Sequence, residues 1–256
     1  MTRLRFSANL GFLWNDLPLP DAIRHAKAAG FGAVECHWPY DTDPVEVSAA
    51  LAETGLPMLG INTITGGAGH FGLSACPDRI DDARVAIEQA LAYAEAIDAQ
   101  AIHIMAGVAE GPAARDAFLS NLKFAAGLTD RMLLIEPLNA FDVPGYFLQT
   151  TDQAMGVIEE VGVPNLKLMF DCYHVARTEG DVIPRLEKFL PAIGHIQIAS
   201  VPDRTAPDTG TLDYQKVFAA LRALGWSRPI GAEYKPGGPT EASLGWLKKE
   251  LDLKLP

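Results

Sequence analysis

Cysteine is scarce in this chain. Among its 256 residues the cysteines are Cys36, Cys76 and Cys172, and no two of them form a C-x-x-C pair. An odd number of widely separated cysteines supports neither a disulfide framework nor a thiolate zinc site. We therefore expect a protein of a reducing compartment, the cytoplasm.

The chain is also short of positive charge and of long apolar runs. Its 21 Lys and Arg against 32 Asp and Glu give a formal net charge of −11, which opposes nucleic-acid binding because phosphate contacts need clustered basic residues. No stretch approaches the about 18 consecutive apolar residues of a membrane span. Arg5 interrupts the stretch where a signal peptide would need its apolar core. We expect a soluble protein with no nucleic-acid or membrane partner.

Several familiar catalytic signatures are absent as well. The chain has no G-x-S-x-G elbow, no G-x-x-x-x-G-K-[ST] phosphate loop and no H-E-x-x-H helix. The glycines of GGAGHFG, at 66–72, lack the strand-to-helix context of a dinucleotide fingerprint. Nucleophile-elbow hydrolases, P-loop enzymes, zincins and NAD-binding domains are thereby disfavoured.

Short apolar runs rich in β-formers alternate along the chain with longer Ala-, Leu- and Glu-rich segments at helical spacing. This alternation predicts a parallel sheet with crossover helices. The eight candidate strands are Leu4–Ala8, Ala33–His37, Met58–Asn62, Ala101–Met105, Met132–Glu136, Leu166–Asp171, Gly194–Ala199 and Pro229–Glu233.

Eight candidate helices follow these strands. They are Pro20–Ala29, Pro44–Glu53, Ile80–Ile97, Ala113–Leu128, Thr151–Val161, Ile183–Leu190, Tyr214–Leu224 and Thr240–Leu251. Units averaging 256/8 = 32 residues predict an α/β protein, a single-domain TIM (β/α)8 barrel over residues 1–256. An open doubly wound sheet is the alternative, but it gives no reason to stop at eight matched units.

One connection is unusually long. Residues 63–79, which follow the third strand, are rich in glycine, whereas βα loops commonly need about two to six residues. Loops after barrel strands lie on the catalytic face. The segment is therefore interpreted as a lid over a substrate, the alternative being an insertion without ligand contact.

Four successive strands end in oxygen-bearing side chains: Glu136, Asp171, Gln197 and Glu233. If their sides of the strands face the barrel axis, three carboxylates and an amide meet at its mouth. Crowded carboxylates repel one another unless they are protonated or bound to a cation. An all-oxygen set favours a hard divalent metal, Mg²⁺ or Mn²⁺, over zinc.

Further polar residues lie near this quartet and are candidates for binding a substrate: Asn9, Glu35, His174, Arg204 and Lys235. Lys235 shares the strand side of Glu233, so it can hold a carboxylate or a developing enolate as a point charge.

Three other residues with reactive side chains are interpreted differently. His103 and His195 are interpreted as residues that pack the barrel interior. Cys172 is interpreted as a buried packing thiol, because strand alternation turns it away from Asp171.

The motifs together resemble the hydroxypyruvate isomerase family of xylose isomerase-like TIM barrels. The resemblance covers almost the whole chain, and its elements are RFSANL (5–10), GFGAVE (30–35), PYD (39–41), GLSACPDR (72–79), IEPLN (135–139), FDCYH (170–174), GHIQIA (194–199) and EYKP (233–236). It implies that Glu136, Asp171, Gln197 and Glu233 bind the divalent metal. It also implies that Glu136 and Glu233 are the acid/base pair of an isomerisation through an enediolate.

The motifs leave two substrates open. Family members often read G-E-I-[DN]-Y where this chain has GTLDY, so Thr211 replaces an acidic residue of a substrate-side loop. HIMAGV (103–108) and VPDR (201–204) resemble the related 2-oxo-tetronate isomerases, whereas IEPLN favours hydroxypyruvate isomerase. The resemblance thus implies a small hydroxy-oxo acid of three or four carbons, with Arg204 or Lys235 on its carboxylate.

Other functions remain as alternatives. A sugar epimerase commonly has histidine where Gln197 stands, and a repair endonuclease of the superfamily needs a histidine-rich multi-zinc cluster and a basic face. A non-catalytic metal-sugar binding protein is expected to lack one of the two glutamates. The sequence leaves a homo-oligomer open.

Overall fold

Eight parallel strands form the centre of the structure, a computed structural model that describes residues 3–251. They are β1 Phe6–Asn9, β2 Ala33–Glu35, β3 Ile61–Asn62, β4 Ala101–His103, β5 Met132–Ile135, β6 Leu166–Asp171, β7 Ile193–Ile198 and β8 Ile230–Ala232. All eight predicted strands are present. β6 has the predicted bounds, and the others differ from them by one to three residues at an end.

The strands lie side by side in the order β2-β1-β8-β7-β6-β5-β4-β3. The two outer strands then meet through one parallel bridge between Val34 and Met58. Hydrogen bonds from the Leu59 N–H to the Val34 carbonyl (2.7 Å) and from the Cys36 N–H to the Gly60 carbonyl (3.2 Å) support this seam. The sheet is therefore the predicted TIM barrel rather than an open sheet. Four backbone hydrogen bonds close the β2–β3 seam, which has one bridged residue pair where every other strand pair has at least two.

Nine α-helices surround the barrel within residues 3–251. They are α1 Leu19–Ala28, α2 Pro44–Thr54, α3 Ile80–Ala96, α4 Gly111–Leu128, α5 Thr151–Val161, α6 Cys172–Thr178, α7 Val182–Phe189, α8 Tyr214–Ala223 and α9 Gly245–Glu250. Two predictions need correction. The short helix α6 directly follows β6 and was not predicted, and the predicted helix Thr240–Leu251 is divided into a 3₁₀ turn, Thr240–Ser243, and α9.

Side-chain caps explain where several helices begin. Asp43 accepts from the Val45 N–H at α2, Thr150 accepts from the Gln153 N–H at α5, and Asp213 accepts from two backbone N–H groups at α8. Gly162 ends α5 with a φ of +69°, a conformation that glycine adopts without steric cost. These local signals place the helices that carry the barrel loops.

The barrel interior contains a small apolar layer of Ala101, Leu134 and Met169. Leu134 shares the strand side of Glu136, and Met169 shares that of Asp171, because side chains alternate along a strand. The predicted inward orientation of both acidic residues is thereby supported. A larger apolar core fills the space between the strands and the helices.

In the part of the chain that the structure describes, no helix has both the length and the apolar character needed to cross a membrane.

Candidate active site

A cavity of about 270 Å³ opens at the carboxyl ends of the strands. Polar residues from several loops line it together with apolar side chains, and the residues that concern its chemistry are His37, His103, Glu136, His174, Arg204 and Glu233. In a TIM barrel this end carries the catalytic groups. The cavity therefore lies where the strand-end residues were expected to converge.

Glu136, Asp171 and His174 form a compact group. One possible ligand atom from each lies within 4.8 Å of the other two, and all three residues are buried. Gln197 is beside Asp171, since the two are direct Cα partners of the β6–β7 pair. Three of the four predicted strand-end ligands are thus next to one another.

Several buried oxygens of this group have no hydrogen-bond partner: Glu136 Oε1, Asp171 Oδ2 and Gln197 Oε1. The other oxygen of Asp171, Oδ1, accepts from the Tyr173 N–H at 2.8 Å and caps α6. Unpartnered buried oxygens are costly unless something binds them. Three such atoms of hard-ligand type, on residues of one cluster, fit a divalent metal ion.

Glu233 is bound differently from the other two carboxylates. Its Oε1 accepts from Asn9 Nδ2 at 3.1 Å and lies 2.7 Å from His37 Nε2, and its Oε2 accepts from Arg204 Nη2 at 2.8 Å. Burial by itself raises the pKa of Glu233, but the Arg204 charge and the His37 hydrogen bond outweigh burial and lower the pKa. Glu233 is therefore held in its ionised form.

Glu136 and Asp171 have the opposite tendency. Burial raises the pKa of Glu136 well above its usual range, and the carboxylates of Glu233 and Asp171 raise it further. Burial also raises the pKa of Asp171, against the lowering effect of Arg204. Both shifts follow from negative charges crowded in a dry site, and a bound cation would reverse them.

Arg204 supplies the positive charge of the cavity. Its Nη2 lies 2.8 Å from Glu233 Oε2 and 3.6 Å from Asp171 Oδ2, and its side chain is 16% exposed. The guanidinium also stacks near the rings of Phe12 and Tyr173, at 4.9 and 5.1 Å. Aromatic faces and carboxylates hold it as a fixed cation that still borders the cavity.

His174 is a hydrogen-bond donor in this arrangement. Its Nδ1 accepts from the Asn139 backbone N–H at 3.1 Å, so in the neutral ring the proton is on Nε2. Nε2 lies 3.7 Å from Asp171 Oδ2. Burial and the Arg204 charge lower the pKa of His174 to about 3. The geometry therefore directs a neutral N–H toward the cluster, in keeping with substrate contact rather than metal ligation.

Three of the predicted substrate-binding candidates, Asn9, Glu35 and Lys235, lie outside the cavity lining. The Lys235 side chain is exposed, although its backbone N–H donates to the Arg204 carbonyl at 2.8 Å. Asn9 is buried beneath the cavity, where its Nδ2 contacts Glu35 and Glu233. The structure thus brings Arg204 and His174 to the mouth and places Asn9 among the carboxylates.

His195 and Cys172 are buried, as interpreted from the sequence. His103 is buried too, but it also lines the cavity, and its Nδ1 lies 3.7 Å from Glu136 Oε2, so its interpretation as a packing residue alone needs correction. His37 was not among the predicted site residues, although it borders the cavity and contacts Glu233. Its position two residues after Glu35, just beyond the end of β2, indicates the side of the chain on which His37 lies but not its contact with Glu233.

The long loop at 63–79 lies against the cavity. Gly72 forms a bridge with Ala106, and the Ser74 N–H donates to the Met105 carbonyl at 3.3 Å. Phe71 lines the cavity and has a positive φ of 53°. The second half of the loop is therefore anchored to the barrel rim, while Phe71 faces the cavity, as a lid requires.

Comparison with known proteins gives consistent results. The chain matches a family model described as a xylose isomerase-like TIM barrel over residues 23–250. It is 43% identical to the 2-oxo-tetronate isomerase of Cupriavidus necator, over 96% of this chain and 98% of that protein. It is 41% identical to the putative hydroxypyruvate isomerase of Danio rerio, over 97% and 96% of the two chains.

A crystal structure from Brucella melitensis, described as an AP endonuclease of family 2, superposes with a TM-score of 0.92. That protein is 37% identical, and the match covers 96% of this chain and 98% of the other. The match shows that the two chains share the barrel architecture over nearly their whole length.

Proposed function

We propose hydroxypyruvate as the substrate of this chain, which belongs to the xylose isomerase-like TIM-barrel family and is an isomerase. The product is tartronate semialdehyde. In this reaction a proton leaves carbon 3 of the substrate and a proton arrives at carbon 2, while the hydroxyl proton moves from oxygen 3 to oxygen 2. No oxidant or reductant is needed.

One observation carries the proposal. Glu136, which has an unpartnered buried oxygen, lines the cavity together with a fixed cation, Arg204. The unpartnered Oδ2 of Asp171 lies 3.6 Å from Arg204, and Gln197, whose Oε1 is also unpartnered, is the strand neighbour of Asp171. A small acid that has a carbonyl and a neighbouring hydroxyl needs both elements, because its oxygens bind a hard metal and its carboxylate needs a positive partner. The cavity of about 270 Å³ is also suited to a small substrate.

The metal-binding residues of the proposal are Glu136, Asp171, Gln197 and Glu233. A divalent ion held there, Mg²⁺ or Mn²⁺, would polarise the substrate carbonyl and so acidify the neighbouring C–H bond. The oxygen-only ligand set favours these hard ions.

Chain residues perform the proton transfers. Glu136 and Glu233 act as the acid/base pair: one removes the carbon-bound proton and the other returns a proton to the adjacent carbon. Arg204 binds the substrate carboxylate through its fork of N–H donors. His174 donates its Nε2 proton to a substrate oxygen, since Asn139 fixes that tautomer. Apolar groups such as Phe71 restrict water at the mouth.

A second candidate substrate is 2-oxo-tetronate, a four-carbon acid. The relative from Cupriavidus necator, 43% identical, is named for it, and HIMAGV and VPDR resemble that group of isomerases. The same residues would perform the chemistry on either acid.

The test is ¹H NMR of the metal-loaded protein in D₂O with hydroxypyruvate and, separately, with 2-oxo-tetronate. We expect isomer formation with solvent deuterium at the reacting carbon, and we expect EDTA to abolish turnover and Mg²⁺ or Mn²⁺ to restore it. Faster turnover of the four-carbon acid would replace hydroxypyruvate with the second candidate. Full activity after complete demetallation would overturn the metal site.

Glu136→Gln and Glu233→Gln test the two acid/base roles in the same assay. Each variant keeps an oxygen but loses a proton-accepting carboxylate, so each should lose at least the ~10²-fold in turnover typical of general acid/base removal. The variant without the first base should also lose deuterium incorporation. The other variant should still exchange the substrate proton with D₂O without forming product.

A further inference from the structure

A buried carboxylate, Glu35, lies inside the barrel beneath the candidate site. Its Oε1 accepts from Gln197 Nε2 at 2.9 Å and from Asn9 Nδ2 at 3.2 Å. Its Oε2 accepts from Ser7 Oγ at 2.9 Å and lies 2.7 Å from His195 Nε2. Glu35 is 3% exposed and does not line the mouth cavity, so it does not contact a substrate there.

These contacts fix the orientation of the Gln197 carboxamide. An ionised carboxylate only accepts hydrogen bonds, so the NH₂ end of Gln197 must face Glu35. The carbonyl end, Oε1, then faces away, and it is the Gln197 atom that is buried without a partner. Glu35 also accepts from Ser7 Oγ and Asn9 Nδ2, so its two oxygens act as acceptors toward every side chain with a defined donor that contacts them.

The same carboxylate reaches a second candidate ligand. Asn9 Nδ2 lies between Glu35 Oε1, at 3.2 Å, and Glu233 Oε1, at 3.1 Å. Gly231 leaves the space that Glu35 occupies, because a Cβ on this glycine would be 2.6 Å from Glu35 Oε1 and 2.8 Å from Gln197 Cγ. The lack of a side chain at this position of β8 therefore leaves room for the contact between Glu35 and Gln197.

We propose that Glu35 is a positioning residue that turns the Gln197 carboxamide so that its oxygen, and not its NH₂ group, is presented to the divalent metal. The inference rests on the proposed metal site. An amide is the only strand-end ligand of the four with two chemically different ends, and only its oxygen end binds a cation. Without a neighbour that accepts and never donates, both ends would sample the metal-facing position.

The test is Mn²⁺ binding, measured by isothermal titration calorimetry and by Mn²⁺ electron paramagnetic resonance, for the wild-type chain and for Glu35→Gln. The substituted amide can accept as well as donate, so Gln197 is free to turn its NH₂ group toward the ion. We expect Mn²⁺ affinity to fall by ~10- to 100-fold, the usual effect of losing a group that orients a metal ligand. An unchanged affinity in folded Glu35→Gln would overturn the proposal.

The exchanged pair, Glu35→Gln with Gln197→Glu, separates orientation from mere packing. The carboxylate then stands at position 197 and the amide at position 35. One carboxylate oxygen accepts from the amide and the other is offered to the ion, whichever way the carboxylate turns. We expect this double variant to bind Mn²⁺ at least tenfold more tightly than Glu35→Gln does. A folded double variant that binds Mn²⁺ no better than Glu35→Gln would overturn the proposal.

Glu179→Gln is the matched control. Glu179 also has a largely buried side chain, 6% exposed, accepts from the Thr151 N–H and hydroxyl, and pairs with Arg185, and it belongs neither to the cavity lining nor to the carboxylate cluster. This variant should lose stability in thermal unfolding yet bind Mn²⁺ as the wild type does. Failure of the wild-type chain to bind Mn²⁺ would overturn the proposed metal site itself, and is thereby distinguished from failure of the Glu35 role.

Discussion

At the scale of single residues, two carboxylates of the same cavity differ because of their neighbours. Glu233 accepts hydrogen bonds from Asn9 and Arg204 and contacts His37, whereas Glu136 Oε1 has no partner. The pKa of Glu233 is lowered and that of Glu136 is raised. A pair of titratable groups whose environments separate their pKa values is typical of acid/base catalysis.

This difference predicts how the stability of the metal-free protein depends on pH. Because the pKa of Glu136 is raised, the folded state keeps a proton that the unfolded state releases. The stability that this proton contributes is complete below about pH 4.5, and it is lost as the pH rises through the pKa of the folded state. Asp171 has the same sign, with a pKa of about 7.

Two buried histidines act in the opposite direction at lower pH. Burial lowers the pKa of His103 to about 4 and that of His174 to about 3, so their contribution is lost only as pH falls below about 6.5. Above about pH 6.5 these two histidines no longer contribute to the slope, whereas Glu136 and Asp171 do. Thermal unfolding in EDTA should show a melting temperature that falls over this range, and Glu136→Gln should reduce the fall. Equal slopes in the two proteins would contradict the raised pKa.

Arg204 and Lys235 give a direct comparison of two cations. Arg204 borders the cavity with a side chain that is 16% exposed, whereas the Lys235 side chain points to solvent. Arg204→Gln should raise KM for the acid by at least about tenfold, because a charged hydrogen bond to a carboxylate is lost. Lys235→Gln should change KM by less than about twofold, because an exposed charge outside the cavity contributes little. Steady-state kinetics of both variants measure these KM values. A larger rise in KM for Lys235→Gln than for Arg204→Gln would assign the substrate carboxylate to Lys235.

At the scale of elements, the sequence predicts the strands better than the contacts between them. Apolar runs and strand alternation locate β6 and the inward side of Asp171, because both depend on a local period. Helix α6 was missed because it begins immediately after β6, with no connecting loop to signal it. The placement of Lys235 outside the cavity and of His37 beside Glu233 depends on how separate loops fold back, which has no local signature in the sequence.

Two glycines provide a test of packing in these elements. A Cβ on Gly194 of β7 would be 2.5 Å from Met132 Sδ and 2.7 Å from Lys167 Cβ, whereas a Cβ on Gly156 of α5 meets nothing within 4 Å. Gly194→Ala should therefore destabilise the fold by roughly 1–3 kcal/mol. Gly156→Ala should stabilise it by about 0.4–1 kcal/mol. Denaturant unfolding measures both, and a Gly194→Ala protein as stable as the wild type would contradict the close packing.

At the scale of the whole molecule, the net charge of the protein has the same sign as the charge of the proposed substrate. The chain carries a net charge of −11, yet its proposed substrate is an anion that must reach the Arg204 cation. The overall field repels such a substrate at long range, while the Arg204 contact acts only at short range inside the cavity. Salt screens the first effect more strongly than the second, since the Debye length is about 10 Å at 0.1 M ionic strength.

This balance predicts the sign of the salt effect on catalysis. Raising NaCl from about 20 to about 200 mM should increase kcat/KM, because screening reduces the repulsion that slows encounter. The value of kcat should stay nearly constant, since it describes the substrate already bound. Steady-state kinetics at constant free metal measure both quantities. A kcat/KM that falls with salt would show that attraction by Arg204 extends beyond the mouth and dominates encounter.

The β2–β3 seam has a consequence for how the barrel opens. In the order of the sheet, β5 to β8, which carry or precede all four proposed ligands, are its central strands, and the seam joins the two outermost ones. A transient separation at the seam would leave the ligand strands paired. The amide hydrogens of Cys36 and Leu59, which bond across the seam, should therefore exchange with solvent deuterium faster than those of Phe170 and Ile196. Added Mn²⁺ should slow exchange in β5 to β8 and leave the seam amides nearly unaffected. The barrel would then open locally between β2 and β3 while the strands of the proposed ligands stay paired.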